Sequence, residues 1–244
     1  MLRNPDPTER SMPLLAHLDE LRTRLLRVAA VFTVLLAAAW FFSGDILRFL
    51  LKPVGEYIDE GSLVYIHLTE PFVIYMKASA LTATFLSVPY ILWETWSFVA
   101  PGLYRHERRW VVPFLLAGTL CFVAGGAFGY YVATPYSVRW LVGLGDGFQA
   151  AVTLRSAFQF QSRMLLGMGT VFELPVAIFF LARLGVVTPG FLMRHFQIAV
   201  LIIAAAAALI TPTGDILTMS IFAAPMILLY LIGVGVAWLF VRRS

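Results

Sequence analysis

Charge is scarce in this sequence. Only 13% of the 244 residues are Asp, Glu, Lys or Arg, against about 25% in a soluble domain. Apolar residues make up 60%, more than the roughly 45–50% that a soluble domain carries. This balance excludes an ordinary soluble enzyme and a disordered chain. Cysteine is nearly missing. Cys121 stands alone in an apolar run, so no internal disulfide can form and a disulfide scaffold is excluded. Period-two alternation is missing from the continuous apolar stretches, which excludes a transmembrane barrel. No H-E-x-x-H, G-x-S-x-G or P-loop occurs. His17, His67, His106 and His195 are too scattered to suggest a metal site, and no cofactor is expected. Gly143-Leu144-Gly145-Asp146 spells the G-x-G-D string of intramembrane aspartyl proteases. That chemistry needs two facing aspartates inside the membrane, and no second one exists. The expectation is a chain that is not an enzyme and has no nucleic-acid partner.

What is present is a set of long apolar runs. They cover residues 25–42, 72–93, 110–133, 164–181, 196–210 and 216–241. A helix rising ~1.5 Å per residue needs about 20 residues to cross a ~30 Å hydrocarbon core. The reading is an all-α polytopic membrane protein with six transmembrane helices. The fifth run carries Gln197 and reaches only about 22 Å. It is either a short span or a re-entrant helix, and the charge pattern, which needs an even number of crossings, favours the span. Pro225 is placed to kink the sixth helix.

Arginine position orients the spans. The head holds five arginines, the second connection three, the fourth two and the tail two. The opposite face carries Arg48, Lys52, Arg139 and Arg155. By the positive-inside rule both termini are cytoplasmic and the chain lies in the cell membrane. A basic start followed by Ala37-Ala38-Ala39 imitates a cleaved signal peptide, but the long basic head and the later spans fit a retained anchor. No internal repeat is visible. Residues 1–244 read as one integral-membrane domain. Residues 1–24 form its head, 43–71 its first outer loop, 94–109 its first cytoplasmic loop and 134–163 its second outer loop.

In the head, Ser11-Met12-Pro13 predicts a helix start. Leu14, Leu18, Leu21 and Leu25 form one apolar stripe, and His17, Glu20 and Arg24 fall on an adjoining one. The pattern predicts an amphipathic helix on the inner membrane surface. Its Glu20–Arg24 pair is worth only ~0.3–0.5 kcal/mol if solvated.

Glu173 lies inside the fourth apolar run, ~14 Å below the outer surface by helical rise. An ionisable group at that depth is a functional-site hypothesis by default. Pro175 follows and frees a backbone carbonyl nearby. Three readings stay open: a docking point for a polar residue on a partner helix, a proton carrier in a transporter, or a carboxyl satisfied within the bundle. Lys77 and Arg163 are expected to snorkel outward.

The segment His17-Leu18-Asp19-Glu20-Leu21-Arg22-Thr23-Arg24-Leu25 resembles the H-L-x-E-L-R-x-R-L opening of the TatC family, the large subunit of the twin-arginine protein translocase. Thr69-Glu70-Pro71-Phe72 is similar to the entry of that family's second helix. Trp96-Ser97-Phe98-Val99-Ala100-Pro101-Gly102-Leu103-Tyr104-Arg105-His106-Glu107 resembles its first cytoplasmic loop. Phe172-Glu173-Leu174-Pro175 and Thr211-Pro212-Thr213-Gly214-Asp215 resemble its fourth helix and last outer turn. The matches run in order along nearly the whole chain.

The resemblance implies a signal-peptide receptor that exports folded precursors with twin-arginine signal peptides, using the proton-motive force. Recognition of guanidinium needs carboxylates, which accept bidentate arginine bonds. Glu20 and Glu107 sit where the family places those acceptors, with His17, Arg22 and Phe98 in the same motifs. Glu173 then becomes a docking or polar intramembrane group. Pro53, Lys77 and Asp215 match structural positions, and Asp215 is a helix-start acceptor for the sixth span. The implied partners are single-span TatA- and TatB-like proteins and further copies in a larger complex. Two positions depart from the family: Met219 and Leu231 stand where glutamine and glutamate are frequent. The alternative is a proton-coupled small-molecule or ion transporter using Glu173.

Overall fold

A chain this apolar, placed where no water can satisfy its backbone, has one economical solution, the helix. The computed structural model describes residues 7–58, 63–99, 111–145, 151–211 and 215–240. The helices are α1 (Pro7–Trp40), α2 (Ser43–Gly55), α3 (Glu70–Val99), α4 (Val111–Phe128), α5 (Thr134–Gly143), α6 (Leu154–Phe172), α7 (Leu174–Arg183), α8 (Pro189–Arg194), α9 (Phe196–Ile210) and α10 (Ile216–Phe240). A π-turn over Gly129–Ala133 joins α4 to α5. Among the described residues, five helical stretches are long and apolar enough to span: His17–Trp40, Glu70–Phe98, Val112–Gly143, Leu154–Arg183 and Thr218–Leu239, with the shorter apolar helix Phe196–Ile210 beside them. The protein is an all-α, multi-pass membrane protein.

Three boundaries differ from the sequence reading. First, α1 begins at Pro7 and not near Ser11, because proline suits a first helical position. It also runs unbroken into the span, about 51 Å at ~1.5 Å per residue. Second, the expected loop 134–163 is helical at both ends, through α5 and the first turns of α6. Proline in a helix interior loses a hydrogen bond and collides with the preceding turn. The wider π-turn immediately before Pro135 relieves that collision, and α5 continues. Third, the expected first outer loop 43–71 opens with the helix α2 (Ser43–Gly55).

The fourth span is interrupted where it was expected to be special. Glu173 separates α6 from α7, and Pro175 stands in the first turn of α7. The Glu173 N–H still donates to Thr170 O at 3.1 Å, and the Glu173 carbonyl accepts from Ala177 N at 2.8 Å. The span is thus two helices in series. α7 ends at Arg183, and two residues on Gly185 has a φ of +72°, which permits the left-handed closing turn that other residues resist.

Packing falls into two clusters. One gathers Met164, Met168, Ile178, Ala207, Phe222 and Met226 from α6, α7, α9 and α10. The other gathers Leu47, Leu50, Ile74, Tyr130, Phe158 and Leu165 from α2, α3, the π-turn and α6. Glycines let α4 and α6 approach closely: a methyl group on Gly125 would stand 2.4 Å from Met168 O. α1 packs chiefly on α3 and leaves Leu18, Leu25 and Val34 exposed, as expected of a helix with lipid on its other sides.

At the end of the bundle opposite the head, the two long connections are clasped together. Val64 N donates to Val152 O at 3.2 Å, and Leu154 N donates to Val64 O at 2.8 Å. The buried Glu70 carboxylate accepts from the backbone of Ile66 (3.1 Å), His67 (3.4 Å) and Arg155 (3.0 Å). Tyr130 stacks on Phe49 and donates its hydroxyl to Phe49 O at 2.7 Å.

Candidate functional site

Helical spacing assembles a polar cluster at the head end. On α1, residues three and four apart share a face, which lines up His17, Glu20 and Arg24. On α3 the same rule lines up Tyr90, Glu94 and Phe98. The two faces meet. Arg24 Nη2 and Nε donate to Glu20 Oε1 at 2.6 and 3.1 Å. Its Nη1 donates to Glu94 Oε2 at 2.7 Å, and Nη2 also reaches Ser97 O at 3.0 Å. One guanidinium therefore bridges two carboxylates from different helices.

Glu94 is the inner member. It is 6% exposed and has both oxygens engaged: Tyr90 donates to Oε1 at 2.9 Å, and Arg27 approaches the same atom at 3.9 Å. An ionised carboxylate this deep is tolerable only when so paired. Glu20 is the outer member. Its side chain is 36% exposed, and among the described residues its Oε2 faces His17 Nδ1, at 3.8 Å. His17 in turn stacks on Phe98, with ring centroids 4.2 Å apart and planes 16° from parallel. The result is an aromatic shelf beside a partly free carboxylate oxygen.

The sequence-expected residues divide by place. His17, Glu20 and Phe98 come together here. Arg22 is exposed, and two residues from Arg24 it points elsewhere on the helix. Glu107 lies outside the described residues. Glu173 sits apart, in the break of the fourth span, against a notch in α4. A methyl group on Gly118 would stand 3.2 Å from Glu173 Oε2, so the carboxyl packs closely against this glycine. Its Oε1 is buried with no hydrogen-bond partner among the described residues. Pro53 is buried in α2, Lys77 is exposed on α3, and Asp215 accepts from Thr218 N at 2.8 Å at the start of α10. Among the described residues no cluster of His, Cys, Asp and Glu could hold a metal ion.

Sequence reasoning missed Glu94. It stands at the margin of an apolar run, where a charge is unremarkable, and its partner Arg24 is 70 residues away. The signal available was local: an acid four residues after Tyr90, on the α3 face that also carries Phe98. It also missed fully buried Thr134, Ser137, Gln161 and Thr218, whose side-chain polar atoms have no partner among the described residues.

Residues 16–225 match the family described as "Sec-independent protein translocase protein (TatC)". A relative of that name from Koribacter versatilis is 38% identical over 235 residues, covering 94% of this chain and 86% of the relative. Another, from Haemophilus influenzae, is 33% identical over 231 residues, covering 94% of this chain and 90% of the relative. A crystal structure described as the twin arginine translocase receptor TatC superposes with a TM-score of 0.81 at 30% identity, covering 93% of this chain and 100% of that one. The chain belongs to the TatC family of Sec-independent protein translocase proteins.

Proposed function

We propose that this chain is the signal-peptide receptor and core subunit of a twin-arginine translocase, and that it passes folded precursors across the cytoplasmic membrane using the proton-motive force. The observation that carries this reading is the half-exposed Glu20 carboxylate, which presents Oε2 beside the His17–Phe98 stack. A carboxylate next to an aromatic face suits a guanidinium, which can hydrogen-bond at its edge and stack on its plane. Glu107, on the connection that α3 enters, supplies the second acceptor for the paired arginines. Positive charge concentrated at the head end puts the head and tail in the cytoplasm. The chemistry is recognition without bond making, so the chain acts as a translocase subunit and not an enzyme.

Glu173 serves as a docking point. Its buried Oε1, without a hydrogen-bond partner among the described residues, accepts a polar side chain from a single-span TatA- or TatB-like helix, a contact made where polar groups have few alternatives. A proton-coupled transporter is disfavoured, since it leaves the head cluster without a purpose. Several copies assemble with these partners into the working complex.

The test is site-specific crosslinking from positions 20 and 107 to a paired-arginine signal peptide, with a paired-lysine peptide as control. Crosslinks from position 107 to the arginine peptide that vanish with Glu20→Lys are expected. Unchanged crosslinking and export in Glu20→Lys removes Glu20 from the site.

A further inference from the structure

We propose that Glu94 is a positioning residue that keeps the receptor carboxylate of Glu20 available, by holding Arg24 to α3. The inference rests on the reading of Glu20 given above. Arg24 is an internal guanidinium in the same turn as the proposed acceptor, so it is a tethered competitor for the arginine of a visiting peptide. Left to itself, a guanidinium on the same helix four residues away would close a fork on Glu20 and engage both oxygens. That is not the observed geometry. Arg24 engages Glu20 only through Oε1, while its Nη1 is drawn to Glu94 and its Nη2 is shared with Ser97 O. Glu20 Oε2 is left with His17 at 3.8 Å.

Charge points the same way as geometry. Glu20 and Glu94 together carry two negative charges against the one of Arg24. Glu94 is almost fully enclosed, and Tyr90 fixes its other oxygen, so its charge is spent on holding Arg24. Arg27 does not take over this role, because it is 60% exposed and reaches Glu94 only at 3.9 Å. Glu94 thereby neutralises Arg24 and leaves the charge of Glu20 for an incoming guanidinium. If Glu94 lost its charge, Arg24 and Glu20 would close on each other and the site would be neutral.

The experiment measures binding of a labelled paired-arginine signal peptide to the full chain in nanodiscs, with a paired-lysine peptide as control and thermal unfolding followed in parallel. Glu94→Gln is expected to weaken the arginine peptide by about tenfold, with the Arg24→Gln/Glu94→Gln double variant restored to wild-type binding or better, because removing the tethered guanidinium frees Glu20 again. A merely structural Glu94 would give the opposite order, the double variant binding no better than the single one. Because the double variant leaves no unpaired buried charge, it carries the test even if Glu94→Gln does not fold. Binding by Glu94→Gln equal to wild type, or a double variant tenfold weaker than wild type, overturns the proposal. Glu20→Gln separates the two readings. If it binds like wild type, the receptor site itself is misplaced; if it loses binding while Glu94→Gln does not, only the role of Glu94 fails.

Discussion

Two glutamates show how far single residues can be read. Glu173 was legible from sequence alone, because a charge inside an apolar run is expensive and stands out. Its surroundings were not: the Gly118 notch depends on how α4 meets α6, and spacing along one chain says nothing of that. Glu94 was illegible for the converse reason, since its meaning comes from Arg24 and Ser97 across a helix pair. The docking role of Glu173 gives a graded expectation. Glu173→Gln keeps the size and one acceptor oxygen, so export of a folded reporter should stay within about threefold of wild type. Glu173→Leu offers no acceptor and should lose about tenfold or more, the scale of one polar contact. Equal loss in both variants, followed by reporter export, would favour a titrating carboxyl over a docking one.

Elements were read well where one-dimensional hydrophobicity decides them and poorly where a turn is rescued by its neighbour. The apolar runs gave the spans. The segment beginning at Thr134 looked like a loop because it holds Pro135 and Arg139, and no pattern announces that a π-turn will carry the helix through. The Pro175 break was foreseeable from proline chemistry. Glycines on the helices separate in the same way. Gly125 is crowded by backbone, with Met168 O 2.4 Å and Gly169 Cα 2.9 Å from where a methyl would sit. Gly125→Ala should therefore push α4 off α6 and destabilise by about 1–3 kcal/mol, the range for overpacking. Gly235 in α10 has nothing within 4 Å, so Gly235→Ala should be neutral or stabilise by up to about 1 kcal/mol through helix propensity. Unfolding curves in detergent check both. Similar stability in the two variants would mean that the α4–α6 contact is looser than described.

For the whole molecule, the reading of both termini as cytoplasmic gives a direct expectation. Gly143 and Gly190 have open space around them; Gly143 closes the stretch Val112–Gly143 and Gly190 lies beyond the far end of Leu154–Arg183, so each tolerates a cysteine. In a Cys121→Ala background, Gly143→Cys should react with a membrane-impermeant maleimide added outside intact cells, and Gly190→Cys only after the membrane is opened. The reverse labelling would invert the topology and put the Glu20 cluster out of reach of newly made precursors. The far rim has its own consequence. Two backbone amides of the first long connection and one from the first turn of α6 converge on the one carboxylate of Glu70, and Val64 laces that connection to the second at Thr153. Lifting α6 away would cost the buried Glu70 carboxylate its bond from Arg155 N. That rim ties its end of the bundle as a hoop ties the staves of a barrel, so any splaying of the helices is expected to begin at the other end.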